Sequence, residues 1–239
     1  MTIKINPLIV ALSMTLVVVL LATMHIFQLI IYYEINDPKV FNFIKMVDFD
    51  YEGNLPSLYS SLAMIYCAAL LCVIAIKHRR DGAAGQYHWV GLSVIFLLLG
   101  IDEGVGLHEE IGDLTENFVE VSGYLYFAWV IPYGIAFLVF CIAYLRFLII
   151  LPRKTAIQFV IAGVLYVTGA LGIEVISAQE ADAHGTKTVL YSTLYTIEEL
   201  CEMFGVIVFA YALMRYIGDH IGPCNIVISN TESEQQAAE

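Results

Sequence analysis

The sequence predicts an all-α fold: a polytopic membrane helix bundle of about six transmembrane helices with both termini cytoplasmic. Three observations carry this. The 239-residue chain is 59% hydrophobic and only 14% charged, too apolar for a soluble domain of its length. It contains six stretches of roughly 20 or more mostly apolar residues, enough to cross a hydrocarbon core of about 30 Å as helices. Its basic residues concentrate in alternate loops: Lys77, Arg79 and Arg80 after the second stretch, Arg146, Arg153 and Lys154 between the fourth and fifth, and Arg215 after the sixth. The opposite loops hold only Lys39, Lys45 and Lys187. The positive-inside rule then puts both termini in the cytoplasm.

The predicted spans run from Pro7 to Ile31, Pro56 to Ile76, His88 to Leu107, Gly123 to Leu145, Thr155 to Ser177 and Val189 to Tyr216. The first has a longer apolar core than a signal peptide and no small-residue cleavage site after it, so it is expected to stay as a helix. The second follows "EGNLPSLYSS", where Pro56 suits a first helical turn because no intrahelical hydrogen bond is lost there. The third ends in "GIDEGVGLHEE", and residues 108–122 are expected to continue it as a polar extension. Pro132 inside the fourth span is expected to bend it. Residues 1–217 are predicted to form one transmembrane domain, and 218–239, ending "NTESEQQAAE", a polar and disordered cytoplasmic tail.

Charge narrows the function. The formal net charge is −12, with most acids on the predicted outer side, so there is no basic footprint for nucleic acid. Four of the five cysteines lie within spans (Cys67, Cys72, Cys141, Cys201) and Cys224 in the tail, without disulfide or zinc-knuckle spacing. No span core carries a lysine, which excludes a retinal Schiff base.

Acidic residues at membrane depth are costly and mark functional sites by default. At 100° per residue, Asp102 and Glu109 are nearly eclipsed, Glu103 and Glu110 form a second pair, and His108 points elsewhere unless Gly104 and Gly106 break the helix. In the last span Tyr191, Tyr195, Glu198, Glu199 and Glu202 share an arc of roughly 100°. His25, Gln28 and Tyr32 share a face of the first span, and Glu174 lies near the outer end of the fifth. His25, Asp102, Glu103, Glu174, Glu198, Glu199 and Glu202 are therefore the candidate metal ligands. Gln28, Glu52, Asn54, His108, Tyr191 and Tyr195 are candidates for the supporting shell and the pocket mouth. Glu109, Glu110, Asp113, Glu116 and Glu120 are expected to be solvated.

Carboxylates crowded in a low dielectric need a positive counterpart: a metal ion, protons or a cationic substrate. Helix bundles build such metal sites from inward-facing glutamates. Oxygen donors favour iron, manganese or calcium, and a histidine among them also admits zinc. A metal pocket near the outer face, acting on an apolar or lipid substrate, is one expectation. A proton- or cation-conducting protein and an accessory subunit of a larger membrane complex are the others. The sequence leaves catalysis undecided.

"EGNLPSLYSS", "GIDEGVGLHEE" and "TIEELCEMFG", in this order, resemble a group of bacterial multispanning membrane proteins. The resemblance covers most of the chain and implies a bacterial cytoplasmic membrane location. More distantly, Glu52, Asn54, Ser60 or Ser61, and Asp102 resemble motif positions of the alkaline ceramidase and adiponectin receptor superfamily. That likeness implies a seven-helix zinc hydrolase, but this chain has Glu198-x-x-x-Glu202 where that superfamily carries two histidines, and six predicted spans.

Overall fold

The computed structural model describes residues 5–35, 45–83 and 85–222, and among these it is helical without strands. Six helices are long and apolar enough to cross a membrane: Pro7–Glu34, Leu55–Arg80, Gln86–Val105, Val130–Ile150, Arg153–His184 and Val189–Ile221. The chain is an integral membrane protein, and six crossings return both ends of the bundle to the same side.

Helix α1 (Pro7–Ile35) opens with proline in its first turn, while Asn6 Oδ1 accepts from the Leu8 amide at 2.9 Å. Helix α2 (Leu55–Arg80) has a complete capping box between Asn54 and Ser57 and ends in the basic run Lys77–Arg80, which suits the negative end of the helix dipole. Helix α3 (Gln86–Val105) stops at Gly106, whose φ of 69° is left-handed and whose amide donates to Asp102 O at 2.8 Å. This is the usual glycine termination. A separate helix α4 (Leu107–Glu116) then starts in a new direction, so residues 108–122 do not continue α3 as expected. Glycine tolerates the positive φ that terminates the helix.

Helix α5 (Val130–Ile150) begins seven residues later than the sequence suggested, after a 3₁₀ turn at Gly123–Leu125. Pro132 therefore lies in its first turn, where it breaks no hydrogen bond and needs no bend. Helix α6 (Arg153–Val167) passes through a π-helical segment (Thr168–Ile173) into α7 (Glu174–His184), forming one long span. Such π segments recur at functional sites, and this one delivers Glu174. Helix α8 (Val189–Tyr216) is the centre of the bundle and runs into a π turn at Ile217–Ile221. The predicted tail from 218 is thus partly helical, and 223–239, with Cys224, lie outside the described residues.

Two apolar clusters hold the bundle. At the basic end Trp89, 1% exposed, packs its ring against His78, Phe147, Phe159 and Tyr216, tying α3 to α2, α5, α6 and α8. At the other end Val18 and Leu21 of α1 pack with Phe49, Tyr191, Tyr195 and Met203. Helix α5 buries only Val130 and Phe147, near its two ends, while Ile135, Leu138 and Ile142 face outward. Its inner side, with Phe140 and Tyr144, meets the core cluster only partly buried. By contrast, the π segment meets α8 closely: a Cβ on Gly169 would lie 2.6 Å from Glu198 O and 2.9 Å from Glu202 Cγ. Small residues permit this approach between membrane helices.

Gly169→Val is expected to destabilise the protein by about 1–3 kcal/mol through overpacking against the α8 backbone. Thermal unfolding in detergent beside Gly163→Val, whose added Cβ meets nothing within 4 Å, checks this. Equal midpoints would contradict it.

Candidate functional site

The loop "VDFDYE", residues 47–52, places acids at every second position of a chain of turns and bends and directs each toward a different partner. Asp48 accepts from the Tyr195 hydroxyl at 3.0 Å and from Gln28 Nε2 at 3.1 Å. Asp50 accepts from the Tyr191 hydroxyl at 2.9 Å. Glu52 Oε1 lies 3.3 Å from His108 Nε2. The loop is clamped at its end by Asn54, whose Nδ2 donates to Lys45 O and Asp48 O while its Oδ1 accepts from the Ser57 amide.

The helix break at Gly106 decides where His108 goes. In a continuous α3 it would point away from Asp102; after the left-handed turn it folds back. Asp102 Oδ1 accepts from the His108 amide at 2.7 Å and from ring Nδ1 at 3.2 Å, and Asp102 Oδ2 accepts from the Tyr133 hydroxyl at 2.7 Å. Asp102 thus caps the start of α4 and fixes the imidazole, leaving Nε2 toward Glu52. Glycine at 106 is doubly required, because a Cβ there would collide with the Glu52 carboxylate as well as oppose the φ.

These groups open into one cavity of about 1420 Å³. Its polar end is lined by Asp50, Glu52, Asp102, Glu103, His108, Glu174, Glu198, Glu199 and Glu202. The Ser177 hydroxyl lies 3.3 Å from Glu174 Oε2 and 3.5 Å from Glu198 Oε2, bridging α7 and α8. From there an apolar arm follows the gap beneath α5, between Leu92, Phe96 and Leu99 of α3, Phe137, Phe140 and Tyr144 of α5, and Val160 and Gly163 of α6. Among the described residues, no lysine or arginine lines the cavity.

Six of the seven candidate ligands therefore face the same cavity, as do Glu52, His108, Tyr191 and Tyr195. Among the described residues, however, no three His, Cys, Asp or Glu side chains converge closely enough to hold a metal ion as they stand. His25 is elsewhere. It is fully buried, stacked on Phe49 at 4.4 Å, with Nε2 2.9 Å from the Thr196 hydroxyl and Nδ1 accepting from the Phe49 amide at 3.3 Å. Thr196 donates its own proton to Ser192 O, so the network assigns the His25 proton to Nε2. Both ring nitrogens are occupied, and His25 pins the loop instead of reaching the glutamates. Gln28 joins it through Asp48, and Asn54 caps α2 instead of lining the mouth. Glu109, Glu110, Asp113, Glu116 and Glu120 are exposed around the opening, in keeping with solvation.

Asp48, Tyr133 and Ser177 were not singled out by sequence. The two-residue spacing of Asp48, Asp50 and Glu52 was the available signal for the loop; Tyr133 and Ser177 had none, since their roles depend on which helices are neighbours.

Electrostatics outside the spans follow from this geometry. Burial pushes the Glu52 carboxyl up to about 7, reinforced by Glu109 and Asp102 and opposed by His108. Asp50, which lines the cavity, is likewise raised to about 7 by desolvation, against the Tyr191 hydrogen bond. Burial pulls His108 down, but the Asp102 hydrogen bond and the charges of Glu52, Asp102 and Glu103 outweigh it and raise it to about 9.

Residues 11–217 match the family model described as "Domain of unknown function (DUF8692)". The chain belongs to this family. No curated protein and no solved structure matches it. The family assignment covers nearly the whole bundle, including every residue of the cavity's polar end, and carries no link to the alkaline ceramidases or adiponectin receptors.

All three shifts are upward, so each group's stabilising contribution is complete below its unfolded value and is lost as pH rises through the folded one. For Glu52 and Asp50 the loss ends near 7, and for His108 it extends from 6.5 to about 9. The thermal midpoint in detergent is expected to fall between pH 6.5 and 9, and His108→Gln to flatten that segment. A parent profile that rises or stays level there would contradict the assignment.

Proposed function

We propose that the protein is a membrane enzyme that takes a long-chain amphipathic substrate from the bilayer and carries out acid–base chemistry, with water as nucleophile, on its polar end. The observation that carries this reading is the continuity of the cavity: an apolar arm within the membrane leads to an imidazole oriented by a carboxylate. Leu92 and Glu103 are eleven residues apart on α3, so the arm extends about 16 Å along the helix axis, room for an alkyl chain laid along α3. The gap beneath α5 faces lipid.

Each group has a role. Asp102 holds His108 through Nδ1 and Tyr133 holds Asp102, which keeps Nε2 as the proton-handling atom; raised to about 9, the imidazole is protonated near neutral pH and serves as the general acid. Glu52, opposite Nε2 and raised to about 7, is the base that takes the proton of the attacking water. The basic residues at the far end of the bundle support a cytoplasmic placement for that end and for both termini, with the acidic mouth outside. The motif resemblance to bacterial multispanning proteins supports the bacterial cytoplasmic membrane. An enzymatic reading is preferred over conduction because the acids stop at Glu202 and the arm beyond is apolar, and over an accessory subunit because the chain encloses its own cavity.

A metal-assisted form of this chemistry is favoured by one observation: among the described residues no lysine or arginine faces Glu103, Glu174, Glu198, Glu199 and Glu202, and His108 is held by Asp102 and Glu52. These glutamates would close together around an ion, with oxygen donors suiting iron, manganese or calcium, and zinc possible only with a nitrogen donor such as His108. A bound ion would supply Lewis-acid or redox activation.

Two measurements test these statements. Purified protein is expected to hydrolyse neutral or cationic long-chain esters or amides in mixed micelles, and His108→Gln to lose about 10²-fold or more of that rate; turnover equal in parent and variant would remove the acid–base assignment. Elemental analysis after dialysis without chelator is expected to find near-stoichiometric metal in the parent and none in Glu199→Ala/Glu202→Ala. A folded parent that stays metal-free after loading with iron, manganese, zinc and calcium would exclude the metal-assisted form and leave the first test standing.

A further inference from the structure

The end of the bundle opposite the acidic mouth carries a second cleft, of about 370 Å³, between the start of α6 and the end of α8. Its lining includes Arg153, Lys154, Gln158, Tyr211, Arg215 and Asp219. Arg215 Nη2 lies 3.3 Å from Asp219 Oδ2, both side chains about half exposed (50% and 52%). Among the described residues no carboxylate pairs with Arg153 or Lys154. The cleft therefore has an excess of positive charge, the opposite of the large cavity.

Backbone adds to this charge. Helix α6 starts at Arg153 behind Pro152, which supplies no side-chain cap, and its first intrahelical bond is from the Ala156 amide to Pro152 O at 2.9 Å. The amides of the first turn are thus left without intrahelical acceptors at the positive end of a 15-residue helix. Beneath them Thr155 is buried, and the neighbouring surfaces of α5 and α6 carry exposed apolar side chains such as Ile149, Ile150, Ile157 and Ile161, as a lipid boundary requires. The ligand that complements guanidinium, ammonium and free amide groups at a lipid boundary is a phosphate carried by the lipid itself.

We infer that this cleft is a binding site for the phosphate headgroup of an anionic phospholipid, seated between Arg153, Lys154 and Arg215 at the start of α6. The site is separate from the acidic cavity and does not depend on the activity proposed for it. An anionic lipid there would neutralise the free cations and fix the loop between α5 and α6 against the end of α8.

The test uses the full chain in nanodiscs of phosphatidylcholine with an equal share of phosphatidylglycerol, with retained lipid counted by native mass spectrometry after release into detergent. The parent is expected to retain phosphatidylglycerol over phosphatidylcholine by about tenfold or more, given the surface attraction of each basic residue. Arg153→Ala/Lys154→Ala/Arg215→Ala should bring the ratio near parity, while the charge-matched Lys77→Ala/Arg79→Ala/Arg80→Ala at the same end keeps it. Arg153→Lys/Arg215→Lys, which retains charge, should hold most of the preference and shows that the loss is not misfolding; circular dichroism checks helicity in each. A preference kept by the cleft triple, or lost equally in both triples, overturns the site. A preference abolished in the parent by inorganic phosphate, with the phosphate bound in the lipid's place, overturns the lipid as its source.

Discussion

Burying carboxylates without lysine or arginine partners is the constraint on which the rest of this structure depends. A chain so apolar has its lipid-facing surfaces occupied by leucine, isoleucine, valine and phenylalanine, which leaves only the bundle interior or the water layers for acids. The interior answer here is a cavity, not a packed core: Glu103, Glu174, Glu198, Glu199 and Glu202 share its lining, and the helix beside it, α5, buries only Val130 and Phe147 fully. Compensation comes piecemeal from hydroxyls and amides, as where Ser177 reaches both Glu174 and Glu198.

That constraint connects the local departures from ideal helix. The π segment at Thr168–Ile173 shifts the register of the fifth span so that Glu174 turns inward, and Gly169 lets the same segment lie against the α8 backbone. The left-handed turn at Gly106 ends α3 where it leaves the apolar layer and swings His108 onto Asp102. The loop 47–52 is held by an interior anchor, His25 with Asp48 and Tyr195, and so presents Glu52 to His108 from a fixed position.

The bundle also has electrostatic polarity. Its cavity end is acidic and its opposite end basic, with Trp89 and its aromatic neighbours between them and the cleft at Arg153. Both ends face a water–lipid boundary, so charge of either sign is tolerated there, and each end is suited to a different amphipathic partner.

By itself the sequence determined the fold class, the six spans and the inward stripe on α8, because hydropathy and a 3.6-residue period are local properties that survive any packing. It also ranked His25 with the glutamates and kept residues 108–122 in line with α3, and on both points tertiary structure decided otherwise. A histidine on an inward face can meet a loop or a glutamate depending on which helices are neighbours, and neither hydropathy nor periodicity encodes that choice. Likewise a glycine permits a left-handed turn without requiring one; whether Gly106 breaks the helix depends on Asp102, Tyr133 and Glu52 being there to receive His108, and those contacts exist only once the helices have packed.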